Sequence, residues 1–102
     1  MSQPPYQSRT EFFAGLASTT AEVDALVARE PAYPVWGLLQ RQLHAMAKWS
    51  ANGTDPTPEQ RERVWIGLVA VRELEPARDA KIADLCGRLH ELNDWWRRWP
   101  PA

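Results

Sequence analysis

The sequence predicts an all-α fold, a compact antiparallel bundle of about four helices with the 58–74 segment at its centre. Three observations predict it. Apolar residues recur at helical spacing in four stretches of the 102-residue chain. No stretch alternates with the period of a strand, and there is no internal repeat. The proline- and glycine-bearing breaks between stretches are short, which favours antiparallel neighbours.

Residues 1–7, with adjacent Pro4 and Pro5, read as a loose N-terminal leader, and residues 8–102 as a single helical domain. Ser8 or Thr10 is placed to cap the first helix, with Glu11 favourable in its first turn. Phe12, Leu16, Thr19, Val23 and Leu26 fall on one face. Pro31 ends this helix near Arg29 or Glu30, because a proline in the interior removes a backbone donor and clashes with the preceding turn. Pro34 then suits the first turn of a second helix.

Along the second helix, Trp36, Leu39, Leu43, Met46 and Ser50 make one stripe. Val35, Leu38, Gln42 and Trp49 make another, offset by roughly a third of a turn. Gln40, Arg41, His44 and Lys48 occupy the polar side, and Asn52-Gly53 is a stop, since either tolerates the left-handed conformation. Thr57-Pro58-Glu59-Gln60 is a capping box with proline at the first helical position.

The central helix is expected from Pro58 to about Leu74. Val64, Leu68 and Val71 share a face, while Trp65, Ile66 and Val69 carry apolar surface most of the way round. A helix apolar on nearly every side wants neighbours on nearly every side. Leu68 is therefore expected in the core, where truncation to alanine costs roughly 2–5 kcal/mol. Gly67 costs roughly 0.5–1 kcal/mol relative to alanine, tolerable where another helix crosses closely. Pro76 should break this helix and open the last one. There Arg78, Ile82, Leu85, Leu89, Leu92, Trp96 and Trp99 share a stripe with Cys86 at its edge.

Composition limits function. Hydrophobic residues are 44% and charged residues 25% of the chain, as in an ordinary globular domain. A formal charge of −1 argues against a nucleic-acid partner and against a basic membrane-surface helix. A single cysteine forms no internal disulfide. The N-terminus lacks a signal-peptide pattern, and no apolar run reaches the ~20 residues that span a bilayer, so the default compartment is the cytoplasm.

Cys86 and His90 stand four apart, a zinc-ligand spacing, with His44 the one further soft candidate. A buried core cysteine is the plainer reading, and no metal or cofactor is expected. No Gly-rich turn or strand-end platform assembles a catalytic group, so no enzyme and no catalytic residue is expected. Trp95 and Trp49 lie off the main stripes of their helices; they fill a second core layer or anchor an interface. Arg72 borders the apolar stripe and Glu73 follows it, either as a solvated helix end or as partner contacts.

Four features taken together resemble the small all-helical immunity proteins that bacteria encode beside type VI secretion effectors. The resemblance is to the family that neutralises the NAD(P)-glycohydrolase toxin of Pseudomonas. Tyr33-Pro34 opens the second helix, and within Leu39-Gln40-Arg41-Gln42-Leu43 the pair Gln42-Leu43 matches the family's Gln-Leu. In Gly67-Leu68-Val69-Ala70-Val71-Arg72-Glu73-Leu74 the order of glycine, apolar pair, Ala-Val, base, Glu and apolar residue is that of the family. An acidic, proline-bearing turn follows, here Glu75-Pro76. The likeness runs from about Leu26 to Leu92. The chain departs from the family in its longer 54–58 loop and its Trp-rich C-terminal end.

The resemblance implies a non-enzymatic immunity protein of the bacterial cytoplasm, monomeric or weakly dimeric. It would bind the cognate toxin domain encoded by an adjacent gene and cover its nucleotide-binding active site. Buried positions cannot reach a partner, so the expected contacts are Gln40, Arg41, His44, Lys48, Trp49, Arg72 and Glu73. The competing reading is a helical chaperone or adaptor for a secreted effector, with the tryptophans of the C-terminal end available to close a homodimer.

Overall fold

Helix α1 (Arg9–Arg29) begins where the Ser8 hydroxyl accepts the Glu11 amide at 3.2 Å, and it buries Phe12, Leu16, Thr19 and Val23. The structure is a computed structural model and describes residues 8–74 and 79–99. The expected leader and the Glu75-Pro76 turn, with Arg78, lie outside the described residues. Helix α2 (Pro34–Trp49) has proline in its first turn and buries Val35, Trp36, Leu39, Leu43 and Met46. The polypeptide between them is short, so α2 returns along α1. The Trp36 indole N–H donates to the Glu30 carboxylate at 2.7 Å and closes that corner.

Ser50 is buried, and its hydroxyl donates to the Met46 carbonyl at 2.7 Å. Asn52 (φ 61°) and Gly53 (φ 78°) then take the left-handed conformation and end the helix as expected. Both halves of the capping box are formed at α3 (Pro58–Glu62): the Gln60 amide reaches the Thr57 hydroxyl at 3.1 Å, and the Thr57 amide reaches the Gln60 side chain at 3.0 Å.

The expected single helix over 58–74 is in three pieces. After α3 the chain turns through Arg63, leaves helical geometry at Val64 and Trp65, and resumes as α4 (Ile66–Val69). Ala70–Leu74 then continues as a π turn. The reason is visible in what is buried. Val64, Ile66, Ala70 and Leu74 face the core, whereas Trp65, Leu68 and Val71 face outward. A continuous helix would have turned Val64, Leu68 and Val71 in together; the break resets the phase. Leu68 is thus not a core position, because the segment has neighbours on its inner side alone.

Breaking a helix orphans backbone groups, and each must find a partner. Here the partners are side chains from other helices. Trp65 N–H donates to Gln42 Oε1 at 2.5 Å, and Gly67 N–H to Asn93 Oδ1 at 2.8 Å. The Gln60 carbonyl accepts the Trp96 indole N–H at 3.1 Å, and the Val64 carbonyl accepts Arg97 at 3.3 Å. The close crossing expected at Gly67 is present: a Cβ there would lie 3.3 Å from Asn93 Cβ.

Helix α5 (Ala80–Arg98) starts later than Pro76. Asp79 is extended and caps it, accepting the Lys81 amide at 2.7 Å. It buries Leu85, Cys86, Leu89, Leu92, Asn93 and Trp96, and Trp99 is buried just beyond it. Helix α1 packs on α2 and α5, and the 58–74 segment packs on α2 and α5 from the other side. The result is a four-armed, all-helical bundle with no strand among the described residues.

At one end of the bundle the aromatic rings meet. Phe12 stacks on Trp95 at 4.5 Å between centroids and meets Trp99 edge-on at 5.6 Å. Trp49 and Trp96 stack at 6.4 Å. The indole N–H of Trp99 donates to Asp55 at 2.8 Å, and Arg9 lies over its ring, 5.4 Å from the centroid. Trp95 and Trp49 therefore fill a second core layer.

Candidate functional site

Of the side chains that the broken segment turns outward, Trp65 and Leu68 line a groove against α2. Trp65 is 50% exposed, Leu68 and Val71 are each 40% exposed, and Leu38 of α2 is 37% exposed. A groove of about 510 Å³ runs between the two elements, lined by Leu38, Gln42, Arg63, Trp65, Leu68, Val69, Arg72 and Glu73. Its walls are held from behind: Gln42 fixes the Trp65 backbone, and Asn93 fixes that of Gly67. The π turn at 70–74 completes the outward wall, a geometry that recurs at functional sites.

Three charged groups border the groove. Arg63 is paired with Glu59, one turn back, at 2.5 Å. Arg72 and Glu73 are exposed and make no ion pair or hydrogen bond through their side chains among the described residues. Of the residues expected to touch a partner, these two line the groove; Gln40, Arg41, His44, Lys48 and Trp49 do not.

Those five have other settings. Gln40 Nε2 donates to Asp24 Oδ1 at 2.9 Å, and His44 Nε2 meets the same oxygen at 2.9 Å, so both tie α2 to α1. The Asp24 carboxyl is held below its ordinary value of 3.8, chiefly by the bond from Gln40; burial pushes the other way, and His44 lowers it further. Arg41 and Lys48 are exposed on the outer side of α2. Trp49 is half-buried on Trp96.

Periodicity alone missed Leu38, Trp65, Leu68 and Val71 as surface residues. The signal that could have found them is the surplus itself: a short segment apolar all round is either enclosed or has one face bare. At the aromatic end Trp96 and Trp99 are buried, and Trp95 is partly buried and stacked on Phe12.

A second hollow lies between α1 and α5, where Arg88 bridges Glu22 at 2.7 Å and Asp84 at 2.9 Å. Burial alone would lower the Arg88 pKa, but the bond from Glu22 and the two carboxylates leave it raised. Cys86 is buried in the core. Among the described residues, no three His, Cys, Asp or Glu side chains are grouped so as to hold a metal ion. No helix among them is long and apolar enough to cross a membrane.

A helical bundle with Leu38, Trp65 and Leu68 exposed along one braced groove has the surface character of association domains as a class. Comparison with known families gives that class a particular member. Residues 14–98 match the Tsi6 family, and the chain belongs to it: it is a type VI secretion immunity protein of the Tsi6 type. No curated protein and no solved structure matches the chain.

Proposed function

We propose that this immunity protein is a non-enzymatic inhibitor. It binds the toxin domain of a type VI effector encoded by an adjacent gene, in the bacterial cytoplasm, and occludes its nucleotide-binding cleft. The toxin's substrate is NAD(P), as the resemblance of the 67–74 segment to the NAD(P)-glycohydrolase immunity family implies. The observation that carries the reading is the braced groove of Leu38, Trp65 and Leu68 in a member of an immunity family. The segment that bears the family likeness is also the wall of that groove.

The physics supports a preformed binder. Four side chains from α2, α5 and the capping box hold the segment before any partner arrives, so little ordering entropy remains to be lost on association. The bundle acts as a monomer or weak dimer and needs no cofactor. Arg41 and Lys48, on the outer side of α2, do not line the groove; Arg72 and Glu73 are the contact candidates at its edge. Exposed charges there govern encounter rate and discrimination more than affinity.

The test is an NAD(P)-hydrolysis assay of the purified toxin domain with increasing amounts of this protein, alongside co-expression in a sensitive cell. Hydrolysis should cease at about one inhibitor per toxin, and co-expression should restore growth. Continued hydrolysis at excess inhibitor, with no restored growth, overturns the reading.

A further inference from the structure

The groove between α2 and the 63–74 segment carries information about the surface it accepts. Leu38, Trp65, Leu68 and Val69 give it an apolar strip among Gln42, Arg63, Arg72 and Glu73, and Val71 is exposed in the same segment. Contiguous exposed apolar side chains on a small domain mark a site of association, and tryptophan is the commonest anchor at such sites. The fold has not left Trp65 outside by default. It breaks a helix to do so and meets the cost with bonds from Gln42, Asn93, Trp96 and Arg97.

The charges select among apolar partners. Arg63 is neutralised by Glu59. Glu73 borders this groove and also the hollow between α1 and α5. Arg72 lines the groove beside Glu73 and makes no ion pair among the described residues. A guanidinium at the edge of an apolar surface is partly shielded from water once the surface is covered. There it strongly prefers a planar anionic acceptor, which it can meet with two parallel hydrogen bonds.

We infer that the occupant of this groove is a protein segment with an apolar ridge that packs on Trp65 and Leu68 and a carboxylate beside the ridge that pairs with Arg72. Resting on the immunity reading, this occupant is a segment of the toxin domain. The ridge supplies affinity, and the Arg72 pair supplies discrimination, because a related toxin with a lysine or an apolar residue there would strand a charge.

The experiment measures binding of the purified toxin domain to the wild-type chain and to Leu68→Asp, Trp65→Ala, Arg72→Glu and, as a control, Arg41→Glu. A melting curve accompanies each variant. Leu68→Asp and Trp65→Ala should weaken binding about 30-fold or more, since they remove a buried anchor. Arg72→Glu should weaken it about tenfold or more, and reversing the facing toxin carboxylate to lysine should restore it. Arg41→Glu should stay within about twofold.

If the wild type inhibits the toxin while the Leu68, Trp65 and Arg72 variants bind as well as it does, this surface is overturned and the immunity reading stands. If the ridge variants fail but Arg72→Glu does not, the carboxylate partner is overturned. A wild-type dimer that Leu68→Asp dissolves would assign the groove to a second copy of the chain and overturn the proposal. A wild type that neither binds nor inhibits the toxin overturns both readings together.

Discussion

The aromatic end of α5 and the wall formed by residues 63–74 both carry more apolar surface than one helical stripe can bury. They dispose of it in opposite directions. At the end of α5 the helix is unbroken, and its off-stripe ring, Trp95, is covered because Phe12 of α1 stacks on it at 4.5 Å. In the wall, the helix is interrupted at 63–65, and Trp65, Leu68 and Val71 are left bare. The difference is the number of neighbours. The α5 end is surrounded by α1, Trp49 of α2 and the Asp55 loop, whereas the wall is packed from one side. An apolar surplus becomes core where a partner element reaches it and stays exposed where none does.

The largest effect should come from emptying the enclosed region. Trp96 is fully buried, so Trp96→Ala should cost about 3–5 kcal/mol in denaturant unfolding and also free the Gln60 carbonyl. A loss below about 1 kcal/mol would mean the aromatic end does not anchor the bundle. Next is the brace between the two regions. Asn93→Ala leaves the buried Gly67 N–H without its acceptor, and should cost about 1–3 kcal/mol. Hydrogen exchange should report it locally, as faster exchange at Gly67 than in α1.

The same truncation chemistry should do little on the open wall. Leu68→Ala, at an exposed position, should change stability by less than about 1 kcal/mol while weakening toxin binding. A loss in the range of a buried leucine would close the contrast between the two regions. Smallest of all is the acid response of the α1–α2 seam. Asp24 has a lowered folded-state pKa, so its contribution is complete above the unfolded value near 3.8 and is lost as pH falls through the lower folded value. Asp24→Asn should flatten the fall in melting temperature across that acid window. An unchanged acid profile would show that Gln40 and His44 do not couple it to folding.

The two regions also differ in how far the sequence disclosed them. On α1 and α2 the apolar stripes Phe12–Leu16–Thr19–Val23–Leu26 and Trp36–Leu39–Leu43–Met46–Ser50 became core at every position but Leu26, which is partly buried against it. Unbroken helices keep their phase, so a spacing of three and four residues points one way throughout. Of the expected contact residues, Arg72 and Glu73 fell at the groove because they belong to the segment that carries the family likeness. Gln40 and His44 bond to Asp24 of another helix, a contact that spacing along α2 cannot show.

What the sequence determined by itself is therefore what local chemistry governs. Ser8 and the Thr57–Gln60 box start helices, Asn52-Gly53 ends one, and the prolines at 31 and 34 mark a corner. Tertiary structure alone decided the break at 63–65 and the outward turn of Trp65, Leu68 and Val71. The backbone groups freed there are satisfied by Gln42, Asn93, Arg97 and Trp96, which stand 23 to 36 residues away from them in the chain. The apolar pattern runs through this stretch without interruption, although Val64, Trp65, Ile66 and Gly67 are weak helix formers. The fold brings up the distant side chains that satisfy the freed backbone groups, and the same packing leaves the apolar face uncovered.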